Sequence, residues 1–343
     1  MQTKITCLVF ILPISIFAQI GGQTTFSFLD VILSPRIEAV GGLAISIIDD
    51  DVTLVQNTPS LLNRKMDNEL AFLFTDYLSD INILGFSYAM YINNIGMLSV
   101  SLKTIDYGDF DYNNEIGENL GTFTAHDQVI TIGFGKSLNE NLSLGLNLNF
   151  LNSQYDIYNA FAIASNISAS YLNIEKEITS TLIFRNIGRQ LISYDNKKEK
   201  LPFDIQLGVS KNLKHLPFRY LLTLHNLGTF DIGSPYKLIS QTNIETGELE
   251  IKQESIAKTA LRHLIIGGEL NPFRKSLFLR GGFNFQRRFD MNLLNYPSLV
   301  GFSWGLGFKV FKFRFDYSRA SYHLSGAPNH FSITKNLSIF GVK

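Results

Sequence analysis

Leu142-Ser143-Leu144-Gly145-Leu146-Asn147-Leu148-Asn149-Phe150 alternates without a break between apolar and small or polar residues. A β-strand sends successive side chains to opposite faces, so this stretch has one greasy face and one polar face. The same period recurs in Phe311-Lys312-Phe313-Arg314-Phe315-Asp316-Tyr317-Ser318, with aromatics on one side and charges on the other. Val300, Phe302, Trp304, Leu306 and Phe308 alternate with Gly301, Ser303, Gly305 and Gly307, and Ile130, Ile132 and Phe134 with Thr131, Gly133 and Gly135.

About fourteen such segments can be traced, each near the nine to eleven residues a tilted strand needs to cross a bilayer. They fall at 68–77, 82–91, 95–104, 123–136, 141–152, 161–172, 177–186, 201–212, 217–227, 261–271, 275–287, 298–309, 311–320 and 330–341. The connections between them alternate in length. Ile92–Asn94, Ser137–Glu140, Asn173–Lys176, Leu213–Leu216, Pro272–Arg274 and a turn near Val310 are short, the last without a Gly, Pro or Asn signal. Ile105–Thr122, Ser153–Ala160, Ile187–Lys200, Gly228–Ala260, Arg288–Pro297 and Ser321–Asn329 are long, and only the first hairpin, Leu78–Ile81, departs from the rule. Tight turns at one end and free loops at the other are the pattern of a meander barrel in an outer membrane. A soluble sandwich alternates as well, but nothing sorts its loops by length. The expected fold is therefore all-β: a transmembrane antiparallel barrel of about fourteen strands, spanning residues 67–343.

Composition agrees. Only 17% of the 343 residues are charged, against roughly a quarter in an ordinary soluble domain, so part of the surface meets something other than water. Lys+Arg and Asp+Glu balance at 30 each and no long basic run occurs, which speaks against nucleic acid as a partner and leaves outer-membrane lipid. With 28 Phe and 14 Tyr the chain is too aromatic to be disordered.

Lys4 followed by the apolar stretch from Ile5 to Ala18 reads as a secretory signal peptide over residues 1–18, cut between Ala18 and Gln19. The sole cysteine, Cys7, goes with it, so the mature chain has no thiol for a disulfide or a zinc-thiolate site.

Residues 19–66 lack the strand period. They carry Gly21-Gly22-Gln23-Thr24-Thr25-Phe26-Ser27-Phe28-Leu29-Asp30, then Ser34-Pro35-Arg36-Ile37-Glu38-Ala39-Val40-Gly41-Gly42, then Asp49-Asp50-Asp51 and Gln56-Asn57-Thr58-Pro59-Ser60. A barrel of this size is too wide for its own side chains to fill, so the segment is expected to fold inside it as a plug. These blocks and their order resemble the start of the PorV/PorQ family of the Bacteroidetes type IX secretion system, itself related to the FadL-like fatty-acid transporters. The compact length favours the PorQ branch. The resemblance is specific over about fifty residues and architectural beyond them. It implies a non-catalytic outer-membrane protein that holds a PorZ-like surface partner near PorU-like and PorV-like proteins in the cargo attachment complex. It also makes Arg36, Gly41, Gly42, Asp50, Asn57 and Pro59 the plug motif. Two departures stand out: Asn57-Thr58-Pro59-Ser60 replaces the family's Asn-Pro-Ala, and the chain ends Phe340-Gly341-Val342-Lys343 rather than on an aromatic, leaving Phe340 to serve as the terminal signal. A FadL-like transporter of hydrophobic small molecules and a PorV-like cargo shuttle are the alternatives.

No chemistry-bearing pattern competes. His126, His215, His225, His263, His323 and His330 occur singly, no GxSxG elbow is present, and neither metal nor cofactor is expected. Asp49-Asp50-Asp51 lacks EF-hand spacing and reads as a turn, while Gly41-Gly42, Gly267-Gly268 and Gly281-Gly282 lack GxGxxG spacing and read as bends or room beside the plug. Arg36, Arg280 and Arg314 are placed to pair with plug acids. Within Gly228–Ala260, a hairpin around Gly247 would display Tyr236, Lys237, Glu245, Glu248 and Lys252 as a partner-docking surface.

Overall fold

The computed structural model describes residues 24–340 except 196, 234–238, 243–248, 253–254, 274–275, 293–297 and 324–325. The signal-peptide cut at Ala18 and Gln19 therefore lies outside the described residues, as do Tyr236, Lys237, Glu245 and Glu248.

The barrel begins with Glu69–Asp76 (β1), Asn82–Ile92 (β2), Gly96–Asn113 (β3), Asn119–Ser137 (β4), Leu142–Tyr155 (β5), Tyr158–Asn173 (β6), Ile178–Ile192 (β7), Asp204–Asn212 (β8) and Phe218–Leu224 (β9). A side hairpin of Ile239–Thr242 (β10) and Leu249–Lys252 (β11) interrupts it, and Leu264–Leu270 (β12), Leu277–Asn284 (β13), Phe302–Val310 (β14), Phe313–Ala320 (β15) and Asn329–Asn336 (β16) complete it. Every barrel strand pairs antiparallel with its neighbour; β12 pairs with β9 across the hairpin, and β1 closes on β16, giving fourteen strands in the wall.

The wall is inside-out relative to a soluble protein. In β5 the outward residues are Leu144, Leu146 and Leu148, while Gly145, Asn147 and Asn149 point inward and are buried. The same holds around the circumference. Phe72, Val100, Ile130, Ile132, Leu182, Leu222, Phe302, Trp304, Phe331 and Ile333 are exposed, and Ser99, Ser101, Thr131, Ser168, Thr181, Ser210, Ser303, Ser332 and Thr334 are buried. Water gives no reason for a belt of exposed aliphatic and aromatic side chains, whereas hydrocarbon does.

At the end carrying the long connections the alternation changes phase. Leu151 points inward next to an outward Phe150, and Ile105 and Val129 do likewise next to outward-facing Thr104 and Gln128. These inward apolar residues join one core cluster with Phe26, Phe28, Leu29 and Leu33. Just above that level the outward residues Asp106, His126, Asn152 and Gln154 are polar, so the apolar belt of β3, β4 and β5 is interrupted there, and Phe110, Leu120 and Tyr158 are exposed again farther out.

The connections differ from expectation in several places. The first six residues of Ile187–Lys200 belong to β7, and the end of Gly228–Ala260 forms a helix, Ile256–Arg262, that delays the strand expected from residue 261 to Leu264. Much of Ile105–Thr122 is strand, since β3 and β4 run on as a ribbon closed by a turn at Asn114–Glu118. Ser153–Ala160 shrinks to a turn at Asp156 and Ile157. Tyr107, Tyr155 and Tyr194 explain the continuation: the first two hydroxyls donate to Asp127 at 2.6 and 3.0 Å, and Ser153, bonded to both Asp127 and Tyr194, ties the ribbons together. Beyond Asn284 the expected strand instead becomes a helix, Phe285–Met291, capped by the Asn284 side chain accepting from the Arg287 amide. The unsignalled turn near Val310 is made by Phe311 and Lys312, both left-handed at φ 47° and 70°. Finally, β16 stops at Asn336 and Leu337–Phe340 is a 3-10 turn, so Phe340 does not end a strand.

Candidate functional site: the segment inside the barrel

Residues 24–68 make no barrel strand. They run through short turns and one helix, Pro35–Ala39 (α1), with proline at the helix start where its missing N–H costs nothing. Their partners come from all around the wall, which places them inside it. The Thr25 amide donates to the Lys200 carbonyl at 3.1 Å, and Lys103 Nζ donates to the carbonyls of Phe28 and Val31 at 2.9 and 3.0 Å. Ser210 Oγ donates to the Ser46 carbonyl, Asn147 Nδ2 to those of Val55 and Gln56, and the Ser60 amide to Ser168 Oγ. Buried polar side chains on the wall thus find partners in a segment whose own backbone has few.

Where the segment touches the wall most closely, the wall has glycine. A Cβ on Gly282 would stand 2.1 Å from the Val40 carbonyl carbon, and one on Gly145 would stand 2.2 Å from the backbone of Pro59 and Ser60. Of the expected motif, Pro59 opens the 3-10 turn Pro59–Leu61 that lies on Gly145, and Gly41 and Gly42 hold φ of 105° and 100° beside Ile265 and Arg287. Asn57 has no described side-chain contact that explains its identity.

A buried ion cluster fastens the segment at the short-turn end. Arg36, 2% exposed, meets Asp49 at 2.6 Å, Glu269 at 2.7 Å and Asp51 at 3.0 Å. Arg219 and Arg280 face Glu269 across β9–β12–β13 in register and reach it at 2.8 and 2.9 Å. Arg314 joins Asp51 and Asp316, both at 2.8 Å, Arg280 joins Asp316 at 2.5 Å, and Lys309 joins Asp50 at 2.6 Å. Five cations, Arg36, Arg219, Arg280, Lys309 and Arg314, thus balance five carboxylates, Asp49, Asp50, Asp51, Glu269 and Asp316. Burial opposes ionisation of Asp49, but Arg36 and then Arg219 outweigh it and hold the carboxyl well below the usual carboxylate range. Burial likewise opposes the charge on Arg36, and Asp49, Glu269 and Asp51 overcome it. The acid triplet at 49–51 is turned onto cations. Arg314 pairs with an acid of the segment as expected; Arg280 does not, because Glu269 on the neighbouring β12 and Asp316 on β15, two strands away, lie nearer. Arg219, Glu269 and Lys309 were not foreseen. The lone carboxylate in Leu264-Ile265-Ile266-Gly267-Gly268-Glu269-Leu270 is the available sequence signal for one of them. Below the cluster a cavity of about 540 Å³ opens at the short-turn end, lined by Arg36, Asp49, Lys65, Arg219 and Lys309.

The opposite end has a second fastening. Arg287 of the helix Phe285–Met291 meets Glu38 at 2.7 Å and lies 3.9 Å over the Tyr322 ring, whose hydroxyl donates to Glu38 at 3.2 Å. Beside it a cavity of about 890 Å³ is bounded by Asp30, Arg185, Gln206, His225, Leu227 and Met291. Arg185 Nε, Gln206 Oε1 and His225 Nε2 have no hydrogen-bond partner among the described residues. Burial, then the neighbouring His263, pushes the His225 imidazole down to about 4. A histidine kept neutral when folded but free to charge near pH 6.5 when released stabilises fully above 6.5, and that stability is lost as pH falls towards 4. Hydrogen exchange at the amides of His225 and Leu227, which donate to the carbonyls of His263 and Ile205, should therefore speed up on the order of fiftyfold between pH 7 and pH 4.5. An unchanged rate, after correction for intrinsic exchange, would refute the assignment.

The side hairpin forms with Ile239 opposite Lys252, within the long connection between β9 and β12. His330 is buried and shares a 2.8 Å hydrogen bond with Thr75, a structural contact.

No protein-family model and no curated protein matches the sequence. Among solved structures the chain is similar to the Pseudomonas putida toluene transporter TodX, with 10% identity over 93% of this chain and 97% of that one and a TM-score of 0.49. It is similar also to a Pseudomonas aeruginosa FadL homologue, with 10% identity over 88% and 97% and a TM-score of 0.48. The KdgM porin follows at 7% identity over 78% and 98%, with a TM-score of 0.34.

Proposed function

We propose that this chain is an outer-membrane barrel that conducts nothing at rest and serves as a membrane-held platform for surface proteins. The observation that carries the reading is the course of residues 24–68, which touch the wall on all sides and are fastened to it by buried ion pairs at both ends. A lumen filled in this way is a plug rather than a passage. On the resemblance of the blocks between Gly21 and Ser60 to the PorV/PorQ family, the role is that of a PorQ-like, non-catalytic component of the type IX secretion system. It would anchor a PorZ-like partner beside PorU-like and PorV-like proteins. A fixed barrel raises the local concentration of a weakly held partner without any chemistry of its own.

Affinity capture of the tagged barrel from detergent-solubilised outer membranes should bring down PorZ-like and PorU-like proteins. Their absence would overturn the secretion role. Removing Gly233–Ser255, which contains the side hairpin, should abolish capture while leaving a folded barrel, as judged by heat-dependent gel mobility. Undiminished capture would clear that loop of the docking role.

A second reading, transport of hydrophobic small molecules, draws on the 890 Å³ cavity, where Ile32, Leu43, Ile205, Leu227 and Met291 supply apolar walls. Retention of a hydrophobic ligand there, together with its uptake into vesicles, would favour it over the platform.

A further inference from the structure

Two of the glycine pairs in the sequence meet in the wall. Gly267 stands opposite Gly282, and Gly268 opposite Gly281, on β12 and β13. The inward pair is accounted for: Cβ atoms on Gly267 and Gly282 would lie 2.5 and 2.1 Å from the backbone of Val40. The outward pair is not. A Cβ on Gly281 would meet only the Ser303 carbonyl oxygen, at 4.0 Å, and one on Gly268 would meet the ring of Phe218, a side chain that can swing away.

The outer face therefore carries a trough of about 800 Å³ with a backbone floor. Tyr220, Leu222, Ile266, Leu279, Phe283 and Phe302 form its sides, and Lys211 lines one end. Strand pairing orders one row of outward residues as Lys211, Tyr220, Gly268, Gly281, Trp304 and Arg319. Tyr220 and Trp304 are half exposed and bracket the two glycines, three strand spacings apart, or about 14 Å. That gap admits two hydrocarbon chains side by side at contact distances of about 4 Å. Lys211 is exposed and lies one residue from the end of β8, at the short-turn end of the wall, where headgroups would lie.

We propose that this trough binds one diacyl phospholipid, its chains on the Gly268–Gly281 floor and its phosphate on the Lys211 ammonium. Bilayer tails are as apolar as the wall, so burial alone selects nothing in a membrane. The selection comes from a shape that flanking aromatic side chains fix and from a charge-assisted bond at one end. The inference rests on the barrel lying in a bilayer, and it is separable from that reading.

The purified full-length barrel, exchanged into detergent and titrated with dioleoyl phosphatidylglycerol, should show one retained phospholipid by native mass spectrometry and phosphorus assay. Gly281→Leu fills the trough from a position where an added Cβ would meet only the Ser303 carbonyl oxygen, at 4.0 Å, and should weaken retention about tenfold. Lys211→Gln should do the same through the lost phosphate bond. Heat-dependent gel mobility confirms that both variants fold. Equal retention by wild type and both variants overturns the site, as does self-crosslinking of Gly281→Cys in membranes, which would give the trough to a second copy. A barrel recovered in the membrane fraction that retains no phospholipid defeats the trough alone, whereas recovery in the soluble fraction defeats the membrane reading itself.

Discussion

Arg36→Met is expected to turn the silent barrel into a conducting one. In planar bilayers the wild type should show almost no current, and the variant should raise the open fraction about a hundredfold. Arg36 is the hub through which the inner segment's Asp49 and Asp51 and the wall's Glu269 are neutralised together. Removing one member of a buried ion set costs roughly 3–5 kcal/mol, because it strands charge that is mostly withdrawn from water. At 1.4 kcal/mol per factor of ten, the lower end of that range already gives two orders of magnitude. The cost falls on the contact between segment and wall, since Arg219, Arg280 and Arg314 still satisfy much of Glu269 and Asp316 within the barrel. The barrel itself should stay folded. Adding Glu269→Gln to Arg36→Met restores the charge balance and should close most of the leak. A variant as quiet as the wild type would mean that the cluster does not hold the segment in place. Acidity gives an independent check. Asp49 and Asp51 are held below the usual carboxylate range despite burial, by Arg36 and Arg219 in one case and by Arg314 and Arg36 in the other. Groups with a depressed folded pKa lose their stabilisation only as pH falls through that lowered value, so the wild type should remain closed from pH 7 to pH 4.

How much of this was legible in the chain depends on which force set each residue. The membrane-facing parts of the strands could be read off because hydrocarbon outside and polar partners inside impose one alternation on all of them. Leu144, Leu146 and Leu148 against Gly145, Asn147 and Asn149 is a representative case. Strand ends were hidden because beyond the apolar belt the inward face becomes the apolar one. Phe150 next to Leu151 reads as a broken pattern in sequence, yet in the fold one faces outward and the other packs on the core around Phe28 and Leu29. The inner segment announced itself by lacking period two. Its fastening did not, because Arg219 and Glu269 meet only through pairing of β9 with β12, and a connection of more than thirty residues separates those strands in sequence. The turn near Val310 could be placed but not its residues, because the flanking register forces left-handed backbone on Phe311 and Lys312, which do not favour it.

Gly145→Val is expected to stop the inner segment from seating. Gly145 points inward from the middle of a strand whose outward neighbours are leucines, and nothing about strand formation requires glycine there; β-propensity alone favours valine. The reason for glycine lies across the gap, where the carbonyl carbon of Pro59 and the amide of Ser60 would each lie 2.2 Å from an added Cβ. Both neighbours are backbone, held by the 3-10 turn Pro59–Leu61, by Leu62 on Gly133 and Gly135, and by the Ser60 bonds to Ser168 and Ser170 at 2.8 and 2.7 Å. No rotamer change relieves that contact, so the turn must lift off, giving up two buried hydrogen bonds at about 1 kcal/mol each and the burial of Leu61 and Leu62 at about 2 kcal/mol each. The wall, by contrast, gains a residue suited to it. Gly145→Val should therefore assemble as a barrel of normal heat-dependent mobility while protease sites around Asn57–Asn63 open and current appears, the same leak as Arg36→Met from the other side of the lumen. The two lesions act on separate contacts of one segment, so the double variant should leak no more than the stronger single one once the segment is out. A Gly145→Val barrel that is folded, closed and protease-resistant would show that the wall, not the inner segment, chose glycine at this position.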